Sequence, residues 1–417
     1  MHLIFENVAP SLFRWWTGEF LEDGGEEAEV IALGRESWLD IGRDMENSRK
    51  TIPTAYGRAV RDIYNHHSSF KAEEWSGWLL YYSPILLRGR LRAELYEHYM
   101  KLVTAIEMAI DYEVTDQEIN TIKRLLAEFV ADYERLYYRH EMHRISACLS
   151  TYHFLLHLAD SITNCGPTWV YWQFPCERLC GMLKTKVKSR VSANRNLSLG
   201  ILHEEQLNHL QFACQLNDDA LTRSISDARF QYTAKVDNHE YSFLHPQKCD
   251  HVCSLEVSHL ALFYATLFGC PRKDITHNAN FTHEIIKWAC CRLADDRDVV
   301  SSEWYESRRS MVPAYRQSSA IRYSLYANDQ LVTYYGRVIY FFLHTFRQST
   351  RMLAYVQRYK ATDHSLNMAD VCAGKIVELD GEGRKEVVCV TALDAGIGVM
   401  TSAGAQYFIN RSPILQS

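Results

Sequence analysis

Residues able to do chemistry concentrate between Tyr152 and Arg190. The stretch opens with His153 and His157, four apart, and Asp160 follows one turn on. On a helix that spacing puts both imidazoles on one face, and two imidazoles with a carboxylate can hold zinc. No glutamate follows His153 as a zinc protease would need, so hydrogen bonding in the core or between helices is the simpler use. Further on stand Glu177, Arg178, Gly181, Lys184, Lys186, Lys188 and Arg190. At about 100° per residue, Glu177, Gly181, Lys184 and Lys188 share a helix face, with Leu179, Met182, Leu183 and Val187 opposite. One face should be core, while the other carries an acid, a glycine and two cations. From Arg178 to His203 there are six bases and no acid. A strip of this kind suits phosphate, and Lys184, Lys186, Lys188 and Arg190 are the candidate nucleic-acid contacts. The plainer account is a solvated face with Glu177 paired to a neighbouring base.

Cys249, His251 and Cys253, with His245 nearby, form a weak zinc candidate, because no second cysteine pair follows at finger spacing. Cys176 and Cys180, one helical turn apart, suit packing better than a disulfide. No Ser-His-Asp or Cys-His nucleophile and no GxxxxGK[ST] loop can be assigned.

The elements that must position these residues change character along the chain. Leu95, Tyr99, Leu102, Val103, Ile106 and Ile110 recur at helical steps. Thr115 and Glu118 have capping-box spacing and would open a second helix through Ile122, Leu126, Phe129 and Leu136. The two should pack antiparallel. Another helix is expected over Ile201–Leu216. Beyond about residue 280, short β-branched and aromatic runs appear, including Ala320–Tyr326, Thr333–Phe346 and Met352–Tyr359. Asp380-Gly381-Glu382-Gly383 reads as a hairpin loop. The expected class is α+β: a mainly α-helical N-terminal two-thirds followed by a small antiparallel β barrel.

The 417 residues are 47% apolar and 23% charged, a globular composition. Net charge is −6, and with the +6 of Arg178–His203 set aside the rest carries −12, which excludes a polybasic coat protein. No apolar run approaches the roughly 20 residues of a membrane span. The start, Met1-His2-Leu3-Ile4, has neither the basic nor the apolar region of a signal peptide, and the 12 cysteines are scattered. A nuclear or cytoplasmic location is expected. The pattern fixes no oligomeric state.

One block carries a family likeness. Gly166-Pro167-Thr168-Trp169, then Trp172, Phe174, Glu177-Arg178, Gly181 and Leu183-Lys184 resemble a block of CACTA (En/Spm-type) DDE transposases, especially the large fungal group. Weaker pieces resemble the same family in the same order: Met1-His2-Leu3 with Glu6-Asn7-Val8, Trp15-Trp16-Thr17-Gly18, Thr51-Ile52-Pro53 with Gly57, Trp75–Leu87, and Cys148 to Asp160. Ile321-Arg322-Tyr323 and Tyr335-Gly336-Arg337-Val338 complete the set.

The resemblance implies a ribonuclease-H-like core in which three acids hold divalent metal, Mg²⁺ in the full-length family, for attack on a DNA phosphodiester. Glu177 would be the third acid, with His153, His157, Asp160 and Arg178 in support. Residues 1–145 would form a helical insertion, 146–280 the remnant of the core with its basic helix, and 281–417 the β-barrel domain. In the family the second acid directly precedes the Met-His-Leu motif, which here begins at Met1. The first two acids and the leading strands are therefore expected to be missing. A single carboxylate cannot hold a metal pair, so the chain alone should neither cut nor join DNA, and no cofactor is expected for it. Met1–Trp16 and the Glu177 helix should then lack part of their packing. DNA is the expected partner. The alternative is a domesticated DNA- or protein-binding module that uses the C-terminal β domain, where Arg308, Arg309, Arg316 and Arg322 stand near Tyr315 and Tyr323.

Overall fold

The computed structural model describes residues 1–20, 31–189, 191–214, 231–236, 239–294, 298–309, 315–327, 330–361 and 376–410. Helices come first: α1 (Ala9–Thr17), α2 (Arg35–Ser48), α3 (Ala93–Ala109), α4 (Asp116–Tyr133), α5 (Ser150–Leu155), α6 (Leu158–Cys165), α7 (Phe174–Lys186) and α8 (Ala193–Cys214), with shorter turns between. The expected cap is present at α4: the Glu118 amide donates to the Thr115 hydroxyl at 3.3 Å, and the Thr115 amide donates to the Glu118 carboxylate at 2.8 Å. α3 and α4 run antiparallel. Glu94 pairs with Arg135, His98 with the Phe129 carbonyl, and Lys101 with Glu128 and Asp132, partners that descend one helix as they climb the other.

Among the described residues five buried indoles organise this helical body: Trp15, Trp16, Trp38, Trp75 and Trp78. Trp15 donates to the Tyr133 hydroxyl at 3.1 Å, Trp16 to the Tyr137 hydroxyl at 3.0 Å and Trp38 to the Trp16 carbonyl at 3.2 Å. Large apolar area is thereby buried without orphaning a donor. Phe5, Val8, Leu12 and Phe13 are buried in the same core. The under-packed opening segment expected from the family likeness is thus not found; Met1–Trp16 supplies core.

An antiparallel sheet of eleven strands follows, curled into a half-barrel. They are β1 (Gln231–Val236), β2 (His239–His251), β3 (Glu284–Arg292), β4 (Val299–Ser301), β5 (Ala320–Ala327), β6 (Gln330–Phe346), β7 (Ser349–Ala361), β8 (Ile376–Cys389), β9 (Leu393–Gly396), β10 (Gly398–Ser402) and β11 (Ala405–Ile409). The main order is β1-β2-β3-β6-β7-β8-β11-β10, with β4 on β3 and β5 between β6 and β9. Alternation sorts the side chains: Phe341 of β6 and Met352, Ala354 and Val356 of β7 fill one core, while Tyr340, Phe342, Leu353 and Tyr355 pack under α9 (Ser254–Phe268) on the other face. α10 (Glu303–Arg309) lies beside β6.

The class is α+β, as expected, but two details differ. β1 and β2 lie ahead of residue 281, in the stretch expected to be helical. Asp380–Gly383 is no hairpin loop either. It lies within β8, where the pairing with β7 slips twice and Gly381 takes a φ of +96°, so the glycines serve a bulge.

The helical body and the sheet meet through Thr51–Gly57. Thr51 exchanges backbone and side-chain bonds with Val399 at 3.0 and 2.6 Å. Arg316 donates to the carbonyls of Ile52, Gly57 and Pro53 at 2.6, 2.7 and 2.7 Å. The Tyr56 hydroxyl donates to the Ile409 carbonyl and accepts from the Gly398 amide.

Candidate nucleic-acid interface on an exposed helix pair

The segment that delivers Glu177 is built at its root. Gly166, at a φ of +86°, ends α6, and Pro167 prevents its resumption. Thr168 then donates to the Ala109 carbonyl at 2.7 Å, and the Trp169 indole donates to the Tyr112 carbonyl at 3.1 Å. Trp172 stands edge-on to Phe174, which reaches Phe5 in the body, with ring centroids 6.3 Å apart. The aromatic positions of the Gly-Pro-x-Trp block therefore fasten the start of α7.

Beyond that root, packing stops. No residue of α7 is buried. Glu177 and Lys184 are exposed on one side, as the helical arithmetic required, but α7 ends at Lys186 and Val187 turns extended, so Lys188, though exposed, lies beyond the helix and off that face. The opposite side was expected to be core, and there the structure differs: Leu179 is 50% and Met182 53% exposed. Periodicity gives a helix two faces but cannot supply the layer that covers one of them.

Lys186 leaves the strip. Its ammonium lies 2.6 Å from Glu204 of α8, and its stem passes Gly200, where a Cβ would come within 3.1 Å of the lysine. Lys184 and Lys188 enter no ion pair among the described residues. Arg178 is engaged within the structure. Arg190, the fourth candidate contact, lies outside the described residues.

The supporting candidates separate. His153 and His157 face solvent, their Nε2 atoms 3.3 Å apart, so their contact is with each other at the surface and not within the core. The same helix turns Tyr152 and Leu155 inward. Asp160 pairs with Lys123 at 3.0 Å. Neither His153–His157–Asp160 nor Glu177 with any neighbours forms a metal-holding group: no cluster of three or more His, Cys, Asp or Glu side chains has that geometry among the described residues. These residues do not compose a site for a divalent pair.

Cys249, His251 and Cys253 do not converge either. Cys249 pairs with Ile286 and His251 with Glu284 along β2, while Cys253 caps α9, its amide donating to Glu256 at 2.8 Å. Cys176 and Cys180 are exposed thiols, not packing residues.

The basic and aromatic residues of the β part are dispersed. Arg316 is in the joint, Arg322 lies 3.6 Å from Asp394, and Arg308 and Arg309 fold over Trp304 and Tyr305. Tyr323 is fully buried, its hydroxyl donating to Glu386 at 2.6 Å, and burial with that carboxylate beside it pushes the phenol far up. Its ring also lies against Gly336, where a Cβ would meet Val356 at 2.7 Å and the Gln357 carbonyl at 2.8 Å. Sequence reading missed the β6–β7 turn, where Arg347 and Gln348 adopt φ of 51° and 63° without a glycine to signal it.

No helix among the described residues is long and apolar enough to cross a membrane. No protein-family model, no curated protein and no solved structure matches this chain.

Proposed function

We propose that this chain derives from a CACTA-type DNA transposase, in the nucleus or cytoplasm, touching DNA through the basic segment that closes α7 and unable to cut or join strands alone. The observation that supports it most is the exposure of Glu177 and Lys184 on α7 and of Lys188 just past its end, with neither lysine holding a carboxylate partner among the described residues. Two exposed ammonium groups four residues apart in one segment can each meet a phosphate. In this reading Glu177 is the third acid of a ribonuclease-H-like site. The β-domain module is the weaker reading, because the arginines and tyrosines that suggested it are dispersed or buried.

A salt series of gel shifts on a random duplex tests the contact. Lys184→Ala with Lys188→Ala should weaken binding and flatten the salt slope by about two counterions. Unchanged binding would remove α7 from the interface. Mg²⁺-dependent nicking by the purified chain, abolished by Glu177→Ala, would overturn the inactive assignment.

A further inference from the structure

The turn between β6 and β7 places an arginine where the backbone disfavours one. Arg347 and Gln348 close this hairpin at φ of 51° and 63°, a conformation that glycine or asparagine adopts with less strain. The Arg347 side chain nevertheless has a defined position. Its guanidinium carbon lies 4.4 Å from the centre of the Phe268 ring, at the end of α9, and 5.5 Å from Phe346. Arg351 of β7 leans on the same Phe268 ring at 5.7 Å and on Tyr264 at 5.9 Å. Two cations thus share one aromatic ring, which fixes both side chains at the hairpin tip.

No carboxylate offsets them. From Gln330 to Ala361 the sequence has five arginines and lysines and neither Asp nor Glu. Arg337 is met by Glu303 and Glu382, and Arg358 by Glu386, all from other elements. Arg347 and Arg351 enter no ion pair among the described residues, although Asp274 and Glu284 stand on elements nearby in the fold. Opposite Arg351 in the register is His344, whose ring is engaged by the Tyr264 hydroxyl at 2.9 Å and by the Thr282 carbonyl at 3.0 Å. Nη1 of Arg351 is enclosed and meets no acceptor. Neither guanidinium is therefore neutralised from within the described structure.

We propose that the tip of the β6–β7 hairpin is a phosphate-binding site, with Arg347 and Arg351 as its donors. A guanidinium carries five N–H groups in a flat fork that matches two oxygens of one phosphate. A ring against its face holds that fork in place and leaves its edge free to donate. Two such groups on one ring favour a multiply charged oxyanion, or two neighbouring phosphates, over a single carboxylate. The phosphate can belong to a small phosphorylated molecule or to a nucleic-acid backbone. The inference is independent of the transposase reading and of the contact assigned to the end of α7.

Calorimetric titration of the full chain with pyrophosphate, and separately with a single-stranded oligonucleotide, at low and matched ionic strength tests it. Binding of at least one probe is expected. Arg347→Asn should weaken it about tenfold, and Arg347→Asn with Arg351→Gln about a hundredfold. Asparagine suits the positive φ, so the single variant should keep the parent's urea midpoint, which separates ligand contact from support of the hairpin. Pyrophosphate bound as well as the oligonucleotide would identify a small phosphorylated ligand. An oligonucleotide bound far more tightly, with the excess lost in the double variant, would identify a nucleic-acid backbone. Lys184→Ala with Lys188→Ala should leave pyrophosphate binding unchanged, so failure at α7 and failure at the hairpin are read separately. No binding of either probe, binding that the double variant retains, or an Arg347→Asn variant that loses stability instead of affinity would overturn the proposal.

Discussion

The body around α1–α4 and the arm of α7–α8 are built from similar material and end in opposite states. Both are helical, and both carry leucine and aromatic side chains at close spacing. In the body, Trp15 and Trp16 are fully enclosed and their N–H groups meet tyrosine hydroxyls contributed from more than a hundred residues away. In the arm, Leu179, Met182 and Leu202 remain about half in water. Burying a leucine is worth about 1.5–3 kcal/mol, so the body collects a stabilisation that the isolated arm lacks. What separates the two is whether a second layer exists.

If that contrast is real, the largest losses must come from the joint and the body. Arg316→Met would leave three carbonyls of the Thr51–Gly57 turn without their donor, inside a contact that ties the helices to the sheet. A loss of about 4 kcal/mol is expected, read as a drop in the urea midpoint. A loss below about 1 kcal/mol would show that the two parts are stable without the joint.

His98 sharpens the contrast through pH. It is buried in the body, its Nε2 bonded to the Phe129 carbonyl at 3.0 Å, and burial pushes its imidazole down to about 4. Unfolded, it would titrate near 6.5. Between those values the unfolded chain binds the extra proton, so the contribution is fully present above pH 6.5 and is lost as pH falls towards 4. About 3 kcal/mol of stability should disappear across that window. His98→Gln should flatten this part of the stability–pH curve. A variant with the parent's slope would assign the acid sensitivity to other groups.

Local signals in the sequence were readable where one residue type has one local use. The Thr115 and Glu118 cap and the α3–α4 pair stand where spacing put them. β5, β6 and β7 were legible from their β-branched and aromatic runs. β1 and β2 were not, because polar residues such as His239, Glu240 and Gln247 mask their alternation. Asp380–Gly383 misled because a glycine at positive φ serves a bulge as readily as a turn. At the candidate site, the shared side of Glu177 and Lys184 could be computed from 100° per residue, but the end of α7 at Lys186, which takes Lys188 off that face, could not. The loss of Lys186 to Glu204 could not, since it depends on how α8 turns back on α7. Arg316, one of the bases that suggested a binding surface on the β domain, is a tie between parts, and only long-range contact reveals such a role.

The smallest effect is expected within the arm. Lys186 and Glu204 form one of the few polar contacts between α7 and α8, and the glutamate is 56% exposed. Such a pair contributes little beyond holding two flexible side chains near one another. Lys186→Gln should therefore change global unfolding by less than about 0.5 kcal/mol. Amide exchange in α8 should nevertheless quicken, because the arm has little apolar burial to resist local opening, while exchange in α3 and α4 should stay at the parent's rate. A Lys186→Gln variant that loses as much stability as Arg316→Met would mean that the arm unfolds together with the body, and the distinction between a closed core and a projecting helix pair would fail.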